Sequence, residues 1–107
     1  MIGRLWHGWT TVEKADAYEQ LLRAEVLPGI HRVEGYRGAY LFRRALDDEV
    51  EFVTLTLFAS MDAVRTFAGD EYAVAVVPLA ARQLLSRFDE TSIHYDMILT
   101  PADGAGA

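Results

Sequence analysis

An α+β fold of the ferredoxin-like order β-α-β-β-α-β, built on an antiparallel four-stranded sheet, is what this sequence predicts, and three observations carry the prediction. The stretch Glu51 to Ala59 (EFVTLTLFA) alternates as a strand yet is apolar on both sides, with Phe52, Thr54, Thr56 and Phe58 on one face and Val53, Leu55, Leu57 and Ala59 on the other. Segments of helical period precede and follow a pair of strands joined by an acidic turn, and a further alternating run ends the ordered part. At 107 residues the chain has too few helices to cover both faces of such a sheet. Helices on one face leave the other bare, and a second copy covering it with its own equivalent face gives a two-fold homodimer.

The first strand is expected from Ile2 to Trp9, with Gly3 and Gly8 marking bulges or close packing. Thr10-Thr11-Val12-Glu13 then has the spacing of a capping box, Thr10 as N-cap and Glu13 reaching back. The helix that follows carries Val12, Ala15, Tyr18, Leu22 and Val26 on one stripe, with Glu13, Lys14, Asp16, Glu19, Gln20 and Arg23 opposite, and Pro28-Gly29 is expected to stop it. Gly35 to Arg44 reads as the second strand, and Asp47-Asp48-Glu49 as the turn of a hairpin into the Glu51 strand. Ser60 caps a second helical segment, with Asp62 in its first turn, but Gly69 and Pro78 divide Met61 to Phe88 into short pieces. The last strand is Thr91 to Leu99, alternating Ile93, Tyr95, Met97 and Leu99 against His94, Asp96 and Ile98. Residues 1–99 thus form one domain, and 100–107, small and flexible in composition, a tail.

Composition removes several classes of function. A formal net charge of −6 argues against a phosphate-binding surface and so against nucleic acid. Without cysteine there is no disulfide, thiolate nucleophile or Cys-ligated metal. No apolar stretch approaches about 18 residues, so no membrane partner is expected and the protein reads as soluble and cytoplasmic. Three histidines without HxH or HExxH spacing give no metal site, and the acidic trio at 47–49 reads as a solvated turn. There is no GxGxxG, Walker or GxSxG pattern to support a nucleotide cofactor or hydrolase chemistry.

The chain resembles the antibiotic biosynthesis monooxygenase family of the dimeric α+β barrel superfamily. The resemblance is carried by the opening strand with Trp6, by Thr54-Leu-Thr-Leu-Phe-Ala-Ser60 followed by Met-Asp-Ala-Val-Arg65, by Phe67-Ala-Gly-Asp-Glu-Tyr72, by Ala75-Val-Val-Pro78, and by Leu84-Leu-Ser-Arg-Phe88 leading to His94-Tyr95. It implies a homodimer, a dimeric α+β barrel, with a pocket in each subunit between sheet and helices. Some members oxidise polycyclic phenols with O₂ without metal or flavin, so no cofactor is expected; others bind and degrade haem. Departures accompany the matches. Phenol-oxidising members present an Asn and a Trp where this chain has Thr54 and Phe58, and a helix Tyr where it has Val64. The haem-degrading set of a first-strand Asn, a third-strand Trp and a helix His meets Trp6 or His7, Phe58, and a region near Pro78 that lacks histidine.

Six residues are the candidates for a site. His94, mid-strand beside Tyr95, can serve as a general base near neutral pH, or simply be hydrogen-bonded within a sheet or interface. His7, between Trp6 and Trp9, can meet a flat ligand or belong with the aromatic anchors of a core or interface. Tyr72, after the break at Gly69, can turn a phenol into the pocket or only lid the core. Arg65 reads as a surface group. The expectation is a cofactor-independent monooxygenase binding a flat, apolar, aromatic or phenolic small molecule near Trp6, Thr54, Phe58 and Tyr72, with His94 or His7 as base. A non-catalytic binding or sensing module is the alternative, and a haem binder using His7 or His94 is a third.

Overall fold

The centre of the sheet is β1 (Ile2–Thr11), paired along one edge with β3 (Glu49–Phe58), which in turn pairs with β2 (Tyr36–Ala45). Along its other edge β1 pairs with two short strands, β4 (Leu85–Phe88) and β5 (Ile93–Asp96), and every pairing is antiparallel. This computed structural model describes residues 1–101, so 102–107 of the expected tail lie outside the described residues.

The fourth strand of the expected sheet is therefore broken in two, and its first half lies where a helix end was expected. α3 (Met61–Ala68) and α4 (Leu79–Leu84) are the only helical pieces between 61 and 88, because Leu85 turns extended to pair with Thr10. Between the pairs Gly8 with Phe88 and Leu5 with Ile93, the four residues 89–92 lie opposite only Trp6 and His7. The excess is taken up by the loop before α4. Thr91 bridges to Val74, Ala75 N–H donates to the Glu90 carbonyl at 2.9 Å, and Ser92 N–H donates to the Ala73 carbonyl at 2.7 Å.

The first helix differs from expectation at both ends. Thr10 remains in β1, paired with Val50 and fully buried, so it is not a helix cap; the Thr11 hydroxyl instead accepts from Lys14 N–H at 3.3 Å and α1 (Ala15–Leu21) begins after a turn that leaves Val12 exposed. Nor do Pro28 and Gly29 stop it. A π-helical stretch, Leu22–Val26, leads into α2 (Leu27–Ile30), and Leu27 N–H reaches back five residues to the Leu22 carbonyl. That wider turn relieves the clash a proline ring otherwise makes with the carbonyl four residues earlier. Ser60 caps α3 as expected, accepting from Ala63 N–H at 3.2 Å, and Gly69, at φ 85°, ends it.

Two apolar clusters hold the helices on the sheet. Tyr18 and Leu22 pack with Val50, Phe52 and Ala81 at one end; Ile30, Ala63 and Val64 pack with Ile2 and Phe58 at the other. The opposite sheet face carries Leu5, Val53, Leu55 and Leu57 with no helix over it among the described residues, and Tyr40 and Phe42 there are 47% and 54% exposed in a single chain. Among the described residues no helix is long and apolar enough to cross a membrane.

Candidate functional site

Between the two clusters the helices stand off the sheet and leave a chamber of about 70 Å³, floored by Arg4, Trp6, Thr54 and Thr56 and roofed by Tyr18, Leu22, Val26 and Ala81. It opens on a vestibule of about 380 Å³ that shares Val26, Ile30, Phe67, Val76 and Pro78 with it. The vestibule walls are almost wholly apolar, and its volume lies within the roughly 300–1,000 Å³ of small-molecule sites.

The broken edge of the sheet builds the chamber floor. Trp6 lies where the 89–92 bulge leaves β1 without a regular ladder, and its indole N–H donates to the Asp89 carbonyl at 2.6 Å while its ring meets Phe88 at 5.9 Å. Gly8 makes this placement feasible: a Cβ there would lie 3.0 Å from Trp6 Cη2. Arg4, two residues earlier on the same face, is only 4% exposed. Its Nη1 donates to the Tyr72 carbonyl at 2.6 Å and to His94 Nε2 at 2.9 Å, and its Nη2 to the Val74 carbonyl at 3.2 Å. The guanidinium thus straps the loop before α4 to the sheet and also lies over the Phe67 ring, 5.6 Å from its centroid.

Electrostatics at this end are unusual for a chain of net charge −6. Among the described residues no carboxylate lies within ion-pair distance of Arg4, and burial alone lowers its pKa, so a full positive charge is held beside the chamber without a counterion. His94 has its pKa lowered, first by burial and then by the Arg4 charge. Because a guanidinium only donates, Nε2 must carry the lone pair in this arrangement, which assigns the proton to Nδ1. Tyr18 is pushed far up by burial and stays a neutral phenol, edge-on to Phe52 at 4.8 Å.

The expected site residues fall in three places. Trp6 and Thr54 line the chamber. Phe58, Tyr72 and His94 stand behind it: Phe58 is fully buried against Phe67 at 5.6 Å, and Tyr72 meets His94 edge-to-face at 5.4 Å beside Arg4. His7 is on the other sheet face, opposite Val53, with Nδ1 2.9 Å from Asp89 Oδ2 and its ring stacked on Trp9 at 6.0 Å. The structure adds Arg4, Tyr18 and Ser92 to the lining. Arg4 had a signal in the sequence, a lone charge alternating with Ile2 and Trp6 on the inward side of a strand; Tyr18 read as core, and Ser92 had none. Among the described residues no histidine lines chamber or vestibule, so these residues do not fit an axially ligated haem.

Comparison with known proteins sets this geometry in a family. The family model described as antibiotic biosynthesis monooxygenase matches residues 7–78. Solved structures of similar fold include a cofactor-independent oxygenase, SnoaB, from Streptomyces nogalater, at 20% identity, TM-score 0.59, covering 92% of this chain and 95% of that one. A monooxygenase from the gene ActVA-Orf6 of Streptomyces coelicolor, in complex with nanaomycin D, gives 17% identity and TM-score 0.61, with 92% and 91% covered. The haem degrader MhuD of Mycobacterium tuberculosis, with two haems in its active site, gives 12% identity and TM-score 0.59, with 94% and 98% covered. At such identities these likenesses speak for the fold. A comparison with curated proteins found no match.

Proposed function

Because the chain belongs to the antibiotic biosynthesis monooxygenase family, we propose that it oxidises a flat, apolar, phenolic small molecule with O₂ and without a cofactor, in the chamber between sheet and helices. The observation that carries this reading is the shape and chemistry of that site: an apolar vestibule narrowing onto a small end where the Arg4 guanidinium and the Tyr18, Thr54 and Ser92 side chains converge. Such a site takes a planar ring system edge-first and sets its oxygen substituents at the polar end.

The reaction we assign is oxidation of a ring CH₂ activated by a neighbouring phenol. The substrate loses a proton, its electron-rich anion reduces O₂, one oxygen atom becomes the new ring carbonyl and the other leaves as water, the substrate supplying all four electrons. The protein contributes water exclusion by the apolar walls, placement by Trp6 and Thr54, and a positive charge at Arg4 that favours the anion. His94, with Nε2 engaged by Arg4 and its basicity lowered, acts in this scheme by holding the guanidinium, and the proton the substrate releases is taken up again when the second oxygen leaves as water. His7 we place at the interface of a homodimer, on the open face with Leu55 and Val53.

A non-catalytic binding module is the second reading, favoured by Thr54 and Phe58 standing where phenol oxidation is associated with other residues. Oxygen consumption with a panel of anthrones and related polycyclic phenols separates the two: uptake above the uncatalysed rate supports the oxygenase, and ligand-induced thermal stabilisation without uptake supports the binding module.

A further inference from the structure

Resting on that reading of the chamber as an aromatic site, we propose that its polar end recognises a carboxylate carried by the aromatic ligand, with Arg4 as the residue that selects it. Three observations carry the inference. The guanidinium is almost fully buried yet has no acidic partner among the described residues. A lone buried charge is expensive to keep, and a ligand anion would offset that cost. Its hydrogen bonding is also incomplete: of five N–H groups, two on Nη1 and one on Nη2 have acceptors, while Nε–H and the second Nη2–H have none among the described residues. Nε and Nη2 share the side on which a guanidinium binds carboxylates side-on, and Arg4 is part of the chamber lining. Finally, the chamber lining offers hydroxyls and no carboxylate among the described residues: Ser92 and Thr54, both lining it, make no side-chain hydrogen bond there.

Arg4 also has a structural part, since its other donors hold the loop at Tyr72 and Val74. The test must therefore separate ligand selection from strapping. Binding of 9-anthracenecarboxylate and of neutral 9-anthracenemethanol to the full chain at pH 7.5, followed by ligand fluorescence, does so without any variant. The same ring system with and without the charge should differ by at least about tenfold in Kd, as charge-assisted hydrogen bonds imply. Arg4→Met should remove the preference, bringing the Kd values of the two compounds within about threefold of each other whatever the loss of the strap does to both; Arg4→Lys, which keeps the charge but not the side-on geometry, should retain part of it. If the wild type binds both compounds equally, Arg4 is only a strap and the inference is overturned while the aromatic site stands. A preference that survives in Arg4→Met, with the variant's melting temperature showing it folded, overturns it as well. Should neither compound bind, the aromatic reading of the chamber fails and takes the inference with it.

Discussion

Gly8→Ala should damage both the fold and the site, and its size follows from three distances. A Cβ at position 8 would lie 2.9 Å from Leu85 Cδ2, 3.0 Å from Trp6 Cη2 and 3.2 Å from Trp6 Cζ3. The leucine methyl ends a flexible side chain and can turn away. The indole cannot, because it is rigid, held through Nε1 to the Asp89 carbonyl at 2.6 Å and packed on Phe88. The added methyl must therefore push the ring off its hydrogen bond or bend β1, an overpacking cost of about 1–3 kcal/mol. For a domain of this size that corresponds to a fall in Tm of roughly 5–20 °C. Thermal melts followed by circular dichroism give the stability, and tryptophan emission reports the displaced ring. Gly29→Ala is the control: it lies in α2 with nothing within 4 Å of the new Cβ, and should be neutral or stabilising by up to about 1 kcal/mol. If Gly8→Ala leaves Tm within about 1 °C and the emission unchanged, Trp6 is not held as described.

Three further outcomes follow from the same geometry. Gly35→Ala combines a positive φ of 88° with a Cβ only 2.5 Å from Ala63 Cβ, so it should destabilise more than Gly8→Ala, read as the lower denaturant midpoint of the two. Leu55→Asp puts a charge amid the open face in both copies of the proposed dimer; at about 1.5 kcal/mol or more lost per copy the dissociation constant should rise about a hundredfold or more, measurable by sedimentation. A wild-type chain that is a folded monomer at tens of micromolar would refute that arrangement. The lowered pKa of His94 sets a pH dependence: below its unfolded value of about 6.5 the unfolded chain binds the extra proton, so stability falls as pH drops through that value toward the folded pKa and is independent of this group above it. His94→Gln, which can still accept from Arg4, should flatten that slope in urea titrations between pH 7.5 and 5; an unchanged slope would mean that His94 is not held neutral.

Long alternating strands made the sheet legible, and the capped, glycine-ended α3 was readable from Ser60, Asp62 and Gly69. What the sequence hid were features decided by partners distant in the chain. Thr10 has the spacing of a capping residue, but its ladder with Val50 and Leu85 outweighs a local cap. The split into β4 and β5 depends on residues 73–75 arriving to pair with the bulge, which no local pattern announces. In the site, a one-residue choice of strand register decides which of two neighbours faces inward. Trp6 and His7 were both candidates, and the pairing of Trp6 with Thr54 turns Trp6 to the chamber and His7 to the open face. Arg4 follows from that same register, and its missing counterion becomes visible only once all the neighbours are in place.

The reaction proposed for the chamber is oxidation of a polycyclic phenol. The most direct test is oxygen uptake by the purified chain, stripped of metal, with anthrone substrates, run beside Gly8→Ala at a temperature where that variant is folded. Uptake above the uncatalysed rate is expected, with conversion of the ring CH₂ to a carbonyl and a clear loss in the variant whose Trp6 is displaced. Uptake equal in both proteins, or none with any substrate that demonstrably binds, would contradict the proposed reaction.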